Sequence, residues 1–328
     1  MADKKRVLSG MRATGPLHMG NYLGALDNWV KMQDQYECYF FVADWHALTS
    51  SYEKPGPMGE YVRQILIDWL SAGLSPEKST IFVQSKVPEH AELYLIFSMI
   101  TPVPWLERNP TYKDQIVQLQ NNDLSTFGFL GYPVLQAADI LMYKAQGVPV
   151  GVDQVPHVEI TREIARRFNY LYGTIFPEPE AILTQTPKIL GLDRRKMSKS
   201  YNNAIYLSDG PDEIAAKVAQ MITDPQRARR SDPGDPDVCN VFSFHKLYTD
   251  PATVADIDRR CRSAGIGCVD CKKIMSGNLI KALEPIRDKR LYYEGRPELV
   301  EEIMHTGSER ARDVARATMA EVRGAVKI

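Results

Sequence analysis

Two lysines three positions apart, Lys196 and Lys199, lie in the run Lys196-Met197-Ser198-Lys199-Ser200. A small, hydroxyl-rich loop carrying two ammonium groups can close over a polyphosphate and neutralise the charge that builds on pyrophosphate as it leaves. Arg194 and Arg195 add two further cations. Near the other end, the segment Gly10-Met11-Arg12-Ala13-Thr14-Gly15-Pro16-Leu17-His18-Met19-Gly20-Asn21 joins a strand candidate to a helix start. Gly20 and Gly24 let a purine or ribose approach the helix backbone closely. His18 and Asn21 can donate hydrogen bonds to phosphate oxygens, and Arg12 can reach the same phosphates. In isolation this segment would equally suit a glycine-punctuated helix start with a solvated histidine.

Two other constellations carry chemistry. In Tyr132-Pro133-Val134-Leu135-Gln136-Ala137-Ala138-Asp139-Ile140 a carboxylate stands inside an otherwise apolar helix. Such a carboxylate is costly without a partner. A substrate N–H is one partner, and an internal cap or salt bridge is another. The pattern Cys239-x21-Cys261-x6-Cys268-x2-Cys271 supplies four soft ligands. Four thiolates bind zinc or an iron–sulfur cluster, and the spacing matches no common zinc ribbon with two close Cys-x2-Cys pairs. Lys272 and Lys273 follow the last cysteine. Gln226-Arg227-Ala228-Arg229-Arg230 and Arg259-Arg260 are candidate phosphate contacts, although a solvated face suits them equally. Cys38 reads as a small buried apolar residue.

The elements that must hold these groups alternate. Arg6–Ser9 is a short strand candidate, followed by a turn from Gly10 to Pro16 and a helix from His18 to Gln33. Cys38–Val42 is a continuous apolar run, as in a strand buried on both faces. A helix over 58–72, a strand over Thr80–Gln84 and a helix from Ala91 to Ile100 follow. The rhythm predicts an α/β doubly wound parallel sheet. Residues 101–130, with Pro102, Pro104, Pro110 and a Gln/Asn tract, break it and read as part of an insertion. It resumes with a helix near Val134–Tyr143, a strand around Val148–Val150 and a helix over 156–171, whose Ile160, Ile164 and Phe168 form a core stripe.

Beyond about 207 the chain turns mostly helical. Asp209-Gly210-Pro211-Asp212 is a helix-start signal, a helix over 278–293 is expected to kink at Pro285, and another spans 308–323. We find no internal repeat and no low-complexity tract.

Composition bounds the reading. The chain has 328 residues, enough for one large or two medium domains, with 44% hydrophobic and 25% charged residues. Net charge is −1, so any RNA contact must come from local patches. The start shows no apolar leader, and no apolar run approaches the roughly 18 residues of a membrane span. A soluble, cytoplasmic protein is the expectation, with neither membrane nor DNA as partner. The six histidines include no His-Glu-x-x-His spacing.

The two loops, in this order and separation, resemble the KMSKS and HIGH signatures of class I aminoacyl-tRNA synthetases. Residues 6–205 as a whole resemble tryptophanyl-tRNA synthetases, notably in Val42-Ala43-Asp44-Trp45-His46-Ala47 and Val148-Pro149-Val150-Gly151-Val152-Asp153-Gln154. That resemblance implies ATP-dependent activation of L-tryptophan and its transfer to tRNA(Trp). It implies that His18, Asn21, Lys196, Lys199 and Ser200 serve catalysis, with Lys113 as an auxiliary phosphate contact. Arg12, Gly20, Gly151, Asp153 and Met197 would bind ATP, entering with Mg2+. Asp139 would accept the indole N–H, with His46, Tyr132, Gln136, Val150 and Gln154 shaping the pocket. Leu8 departs from relatives that carry an aromatic there. The cysteine pattern resembles a 4Fe–4S motif of a subset of the family, with zinc as the alternative. The implied organisation is a catalytic domain over 1–205 with a dimerisation insertion at about 102–145, then a helical anticodon-binding domain over 206–328, in a homodimer. Tyrosyl-tRNA synthetase, which shares both signature loops, is the rival within the fold. A non-catalytic RNA-binding or redox-sensing paralogue is the rival outside enzymology.

Overall fold

The structure is a computed structural model and describes residues 4–109, 126–183 and 189–328. Its centre is a parallel sheet in the order β3-β2-β1-β4-β5. The strands are β1 (Arg6–Arg12), β2 (Glu37–Ala43), β3 (Ser79–Val83), β4 (Gly147–Val150) and β5 (Glu180–Leu183). Alternate side chains go to opposite faces, as the two-residue strand period requires. Val7, Phe40, Val42 and Ile81 enter one core with Trp29 and Trp69. Leu8, Tyr39, Phe41 and Phe82 enter the other with Phe97, Ile140 and Phe168. Because both faces are covered, β2 is apolar almost throughout. The winding reverses between β1 and β4, where Val7 stands opposite Gly147. The crevice beyond the carboxyl ends of those strands is therefore the place for a ligand.

The expected doubly wound α/β sheet is present, with local differences. β1 runs on to Arg12, into the stretch expected to turn, because β2 pairs with it as far as Arg12 opposite Ala43. The helix expected from His18 to Gln33 comprises α1 (Met19–Asn21), a π turn (Tyr22–Leu26) and α2 (Asp27–Met32). α3 (Asp44–Ser51) was not expected, since Asp-Trp-His-Ala-Leu-Thr-Ser-Ser has no apolar period. β5 was missed too, being a four-residue edge strand with half-exposed side chains. α4 (Met58–Ala72) has the expected bounds and stops at Gly73, whose φ of 113° is natural only for glycine. Next come α5 (Glu89–Ile100), α6 (Val103–Glu107), α7 (Phe127–Met142) and α8 (Val155–Tyr172). α7 starts earlier than expected because the Thr126 side chain accepts from the Phe129 N–H and caps it.

After β5 the chain is helical: α9 (Pro211–Gln220), α10 (Asn240–Tyr248), α11 (Pro251–Arg262), α12 (Cys268–Glu294) and α13 (Pro297–Val326). α12 begins at Cys268 rather than near residue 278 and continues as helix through Pro285, so the expected kink does not interrupt it. α13 is far longer than the expected 308–323. Both fold back over the sheet. Leu279 and Leu283 of α12 join the first core, and Ala311, Ala315, Met319 and Val322 of α13 join the second. A Cβ on Gly307 would lie 1.8 Å from the Ile81 carbonyl oxygen, so α13 rests directly on the backbone of β3. Among the described residues no helix is long and apolar enough to cross a membrane.

Candidate active site

The loop after β1 and the lysine loop meet. Residues 205–207 lie beside residues 17–19: the Met19 N–H donates to the Ile205 carbonyl at 2.9 Å, and the Leu207 N–H to the Leu17 carbonyl at 3.0 Å. Met197 is buried, and its Cβ would be 3.6 Å from a Cβ built on Gly20, so a side chain there would fill the space beneath the lysine loop. Lys199 Nζ donates to the Gly15 carbonyl at 2.7 Å and to the Thr14 carbonyl at 3.1 Å. Gly15 holds φ 102°, a conformation that favours glycine. Asn203, buried and absent from the expectations, fixes the loop from within. Its Oδ1 accepts from the Ser198 N–H at 2.8 Å, and its Nδ2 donates to Asp193 at 2.7 Å and to the Lys196 carbonyl at 3.2 Å.

His18 is the N-cap of α1. Its Nδ1 accepts from the Asn21 N–H at 3.3 Å, while Asn21 Oδ1 accepts from the His18 N–H at 3.2 Å. Burial first, then Lys199 and Lys196, lowers the His18 pKa to about 4. The imidazole is therefore neutral at pH 7. With Nδ1 accepting, its proton sits on Nε2, ready to donate. Burial likewise lowers Lys199 to about 8, with the Asp68 charge opposing. Asn21 is thus tied into the cap through its oxygen and its backbone N–H, which leaves its side-chain NH2 as the donor group.

A cavity of about 300 Å³ opens at the ends of β1 and β4. His46, Tyr132, Gln136, Asp139, Val150 and Gln154 all line it, together with Leu8, Arg12 and Gly151. The lysine loop and His18 do not line it. Asp139 is fully buried, and protein donors already serve it. His46 Nε2 lies 2.8 Å from Oδ2, His90 Nδ1 2.5 Å from Oδ1, and Gln84 Nε2 donates to both oxygens at 2.8 and 3.0 Å. Burial works to raise its pKa, but the His46 and His90 hydrogen bonds outweigh that and hold it below the ordinary carboxylate value. Tyr143 hydroxyl meets His90 Nε2 at 2.7 Å, which keeps His90 oriented.

The opposite wall carries a second chain. Tyr132 hydroxyl lies 2.6 Å from His157 Nε2, and His157 Nδ1 lies 2.8 Å from Gln154 Oε1. Burial lowers His157 to about 4. A neutral His157 with Nδ1–H on an amide oxygen must accept at Nε2, so Tyr132 is the donor. The Tyr132 oxygen then presents only lone pairs to the cavity.

With that geometry in view, the comparisons decide the family. The family described as tRNA synthetases class I (W and Y) matches residues 2–284. A tryptophan–tRNA ligase of Thermotoga maritima is 53% identical over 98% of this chain and 99% of its own. One of Aquifex aeolicus is 47% identical over 98% of this chain and 100% of its own. The tryptophanyl-tRNA synthetase of Campylobacter jejuni, solved with ADP and tryptophan, is 34% identical with a TM-score of 0.90, covering 98% of this chain and 100% of that one.

The chain belongs to the class I tRNA synthetases.

In this synthetase several expected site residues lie at the surface or outside the described residues. Lys113 lies outside the described residues. Lys196 and Ser200 are exposed, and Asp153 lies at the exposed start of α8. The cysteines do not line the cavity and lie on α11, on α12 and just before α10. Cys239, Cys261, Cys268 and Cys271 are all free and half-buried. Burial raises Cys271 to about 12, with the other three thiols adding to the rise, so the four share one neighbourhood. Arg227 donates to Cys261 Sγ at 3.7 Å, and His245 Nε2 lies 3.4 Å from Cys271 Sγ. Among the described residues, no three His, Cys, Asp or Glu side chains are grouped to hold a single metal ion.

Sequence reasoning missed Gln84, His90, His157 and Asn203. One signal was available for Gln84: it directly follows β3, at the carboxyl end of a parallel strand. His90 and His157 carried no local signal.

Proposed function

We infer that the protein is a tryptophan–tRNA ligase, which activates L-tryptophan with ATP and transfers it to tRNA(Trp). The observation that carries this reading is an ionised carboxylate, Asp139, held by three protein donors at the edge of an aromatic-sized cavity beside a lysine loop. The relatives at 47% and 53% identity are tryptophan–tRNA ligases, which favours tryptophan over the tyrosine branch of the family.

In our reading the indole enters between Leu8, Val150 and Gln136, and its N–H bonds Asp139 in place of one of the two Gln84 contacts. Its ammonium faces the Tyr132 oxygen, whose own proton is committed to His157, with Gln154 beside it. ATP, carrying its magnesium ion, lies along Arg12, Gly20, Gly151 and Asp153, with the adenine against Met197. His18 donates Nε2–H to a phosphate oxygen. The Asn21 backbone N–H fixes the tautomer of His18, and its side-chain NH2 donates to a phosphate oxygen. Lys199, with Lys196, Ser200 and Lys113, follows the β- and γ-phosphates. The tryptophan carboxylate, already ionised, attacks the α-phosphorus in line and the bond to pyrophosphate breaks. A ribose hydroxyl at the tRNA 3′ end then attacks the mixed anhydride, loses its proton and releases AMP. Positioning and electrostatic stabilisation supply the rate gain without a protein nucleophile.

We assign residues 1–205 to catalysis and 206–328 to anticodon binding, with Arg227, Arg229, Arg230, Lys272 and Lys273 as phosphate contacts. We assign the surface around 102–145 to a homodimer contact. The exposed Leu95, Met99, Val103 and Phe127 support that surface. We favour a 4Fe–4S cluster over zinc at Cys239, Cys261, Cys268 and Cys271. Zinc bonds of about 2.3 Å would require the sulfurs to converge on one point, which the described side chains do not do, whereas the four thiolates, which share one neighbourhood, would hold a cluster. The cluster would supply a rigid covalent tie between α10, α11 and α12. The protein is assigned to the cytoplasm.

The deciding experiment is tryptophan-dependent exchange of labelled pyrophosphate into ATP, followed by charging of tRNA(Trp). Both should proceed. A non-catalytic paralogue would show no exchange, and a different adenylyltransferase would show exchange without charging.

A further inference from the structure

A buried ion pair lies beneath the ATP seat, and the chemistry derived so far does not use it. Asp68, on α4, is fully buried, and Arg290, near the end of α12, is 4% exposed. The Arg290 guanidinium grips Asp68 Oδ1 and Gln64 Oε1 and reaches Glu294 at 3.0 Å. The other oxygen of Asp68 accepts from the backbone N–H of Leu17 at 2.8 Å. Leu17 is the residue before the N-cap His18, and its peptide is itself buried. A buried pair is weak evidence for stability, because desolvation offsets the Coulombic gain. What this pair does is geometric. It joins α4, the start of α1 and α12 at one point, with the fork of an arginine setting the direction of a carboxylate.

The electrostatics run the same way. The charge of Asp68 works to keep Lys199 protonated against its burial. Burial pushes Asp68 itself up to about 6, with Arg290 and the Leu17 N–H pulling it back, so it is ionised at neutral pH.

We propose that Asp68 and Arg290 are positioning residues for adenylate formation: Arg290 aims Asp68, and Asp68 fixes the Leu17 peptide and so the turn that presents His18 to ATP. This rests on reading His18 as the phosphate contact. The consequence reaches further along the chain. α12 also carries Cys268 and Cys271 in its first turn, about 28 to 33 Å from Arg290 at a rise of 1.5 Å per residue. One continuous helix thus ties the ATP seat to the cysteine quartet.

The test is steady-state pyrophosphate exchange with ATP and tryptophan varied separately, on the full chain. Asp68→Asn offers one acceptor oxygen where two are needed, so it cannot serve both Leu17 and Arg290. We expect kcat/KM for ATP to fall on the order of tenfold or more, with KM for tryptophan within about twofold. Arg290→Lys keeps the charge but loses the fork, and should show the same split with a loss of only a few-fold. Should Asp68→Asn fail to fold, Arg290→Lys decides alone by that split. A merely structural pair would instead lower the melting temperature and the active fraction while leaving both KM values unchanged. That outcome, in either folded variant, overturns the proposal. His18→Ala separates the premise from the inference: unchanged ATP parameters in it would refute the reading of His18, not the role of the pair.

Discussion

The amino-acid pocket and the ATP seat are neighbours built on opposite principles. In the pocket the key polar groups, Asp139 and Tyr132, have protein partners before substrate arrives. Asp139 has His46, His90 and Gln84, and Tyr132 has His157. All of these sit on helices or at strand ends and are largely buried. The ATP seat is held instead through backbone. Carbonyls of Thr14 and Gly15 engage Lys199, and Asn203 pins the lysine loop from below, while Lys196 and Ser200 stand in water. The difference teaches a division of labour. A prebuilt network selects a side chain, because a wrong one leaves its groups unpaired. A solvent-facing cationic loop accelerates, because its charge can follow phosphate oxygens whose charge grows during the reaction.

The sharpest way to break this contrast is Lys199→Ala. It should slow pyrophosphate exchange on the order of 10²–10³-fold while tryptophan affinity, measured by calorimetry, stays within about twofold. Comparable losses in both would erase the distinction between the two regions. Asp139→Asn attacks the other side. The amide has a single acceptor oxygen, which His46, His90 and Gln84 compete for, so kcat/KM for tryptophan should drop on the order of 10- to 100-fold with KM for ATP little changed.

A pH profile sharpens the account of the loop. Lys199 acts as an ammonium, and its pKa is lowered to about 8. Its contribution is therefore full below that value and lost as pH rises through it. The profile of kcat/KM for ATP, which reports the free enzyme, should fall about tenfold per pH unit above about 8. Lys199→Arg, which stays charged, should remove that limb, and a limb unmoved by the substitution would mean that another group titrates. The smallest effect is expected at His157→Ala. Freed from His157, the Tyr132 proton can point into the cavity against the substrate ammonium, and KM for tryptophan should rise about 3- to 10-fold.

The sheet was legible in the sequence because strands buried on both faces leave continuous apolar runs such as Cys38–Val42. Both signature loops were legible because their chemistry fixes residue types at short spacing. The supports of the site were not. Asp139 is paired with His90, 49 positions away, and with Gln84, 55 away. Arg290 meets Asp68 across 222 positions. Those pairings exist only once the helices have packed, and nothing local marks them. The same limit hid the true start of α12: its first turn, Cys268-Val269-Asp270-Cys271, carries no apolar helical period, and Cys271 meets Phe242, Ile257 and Ile266 only in the folded chain.

One measurement reaches the centre of the account: the ratio of kcat/KM in pyrophosphate exchange for tryptophan against benzothienylalanine, its isostere with sulfur in place of the indole N–H. The native enzyme should prefer tryptophan on the order of 100-fold or more, Asp139→Asn should reduce the preference to a few-fold, and Lys199→Ala should slow both substrates and leave the ratio intact. A preference that survives Asp139→Asn, or that collapses with Lys199→Ala, would contradict the division between a selecting pocket and an accelerating loop.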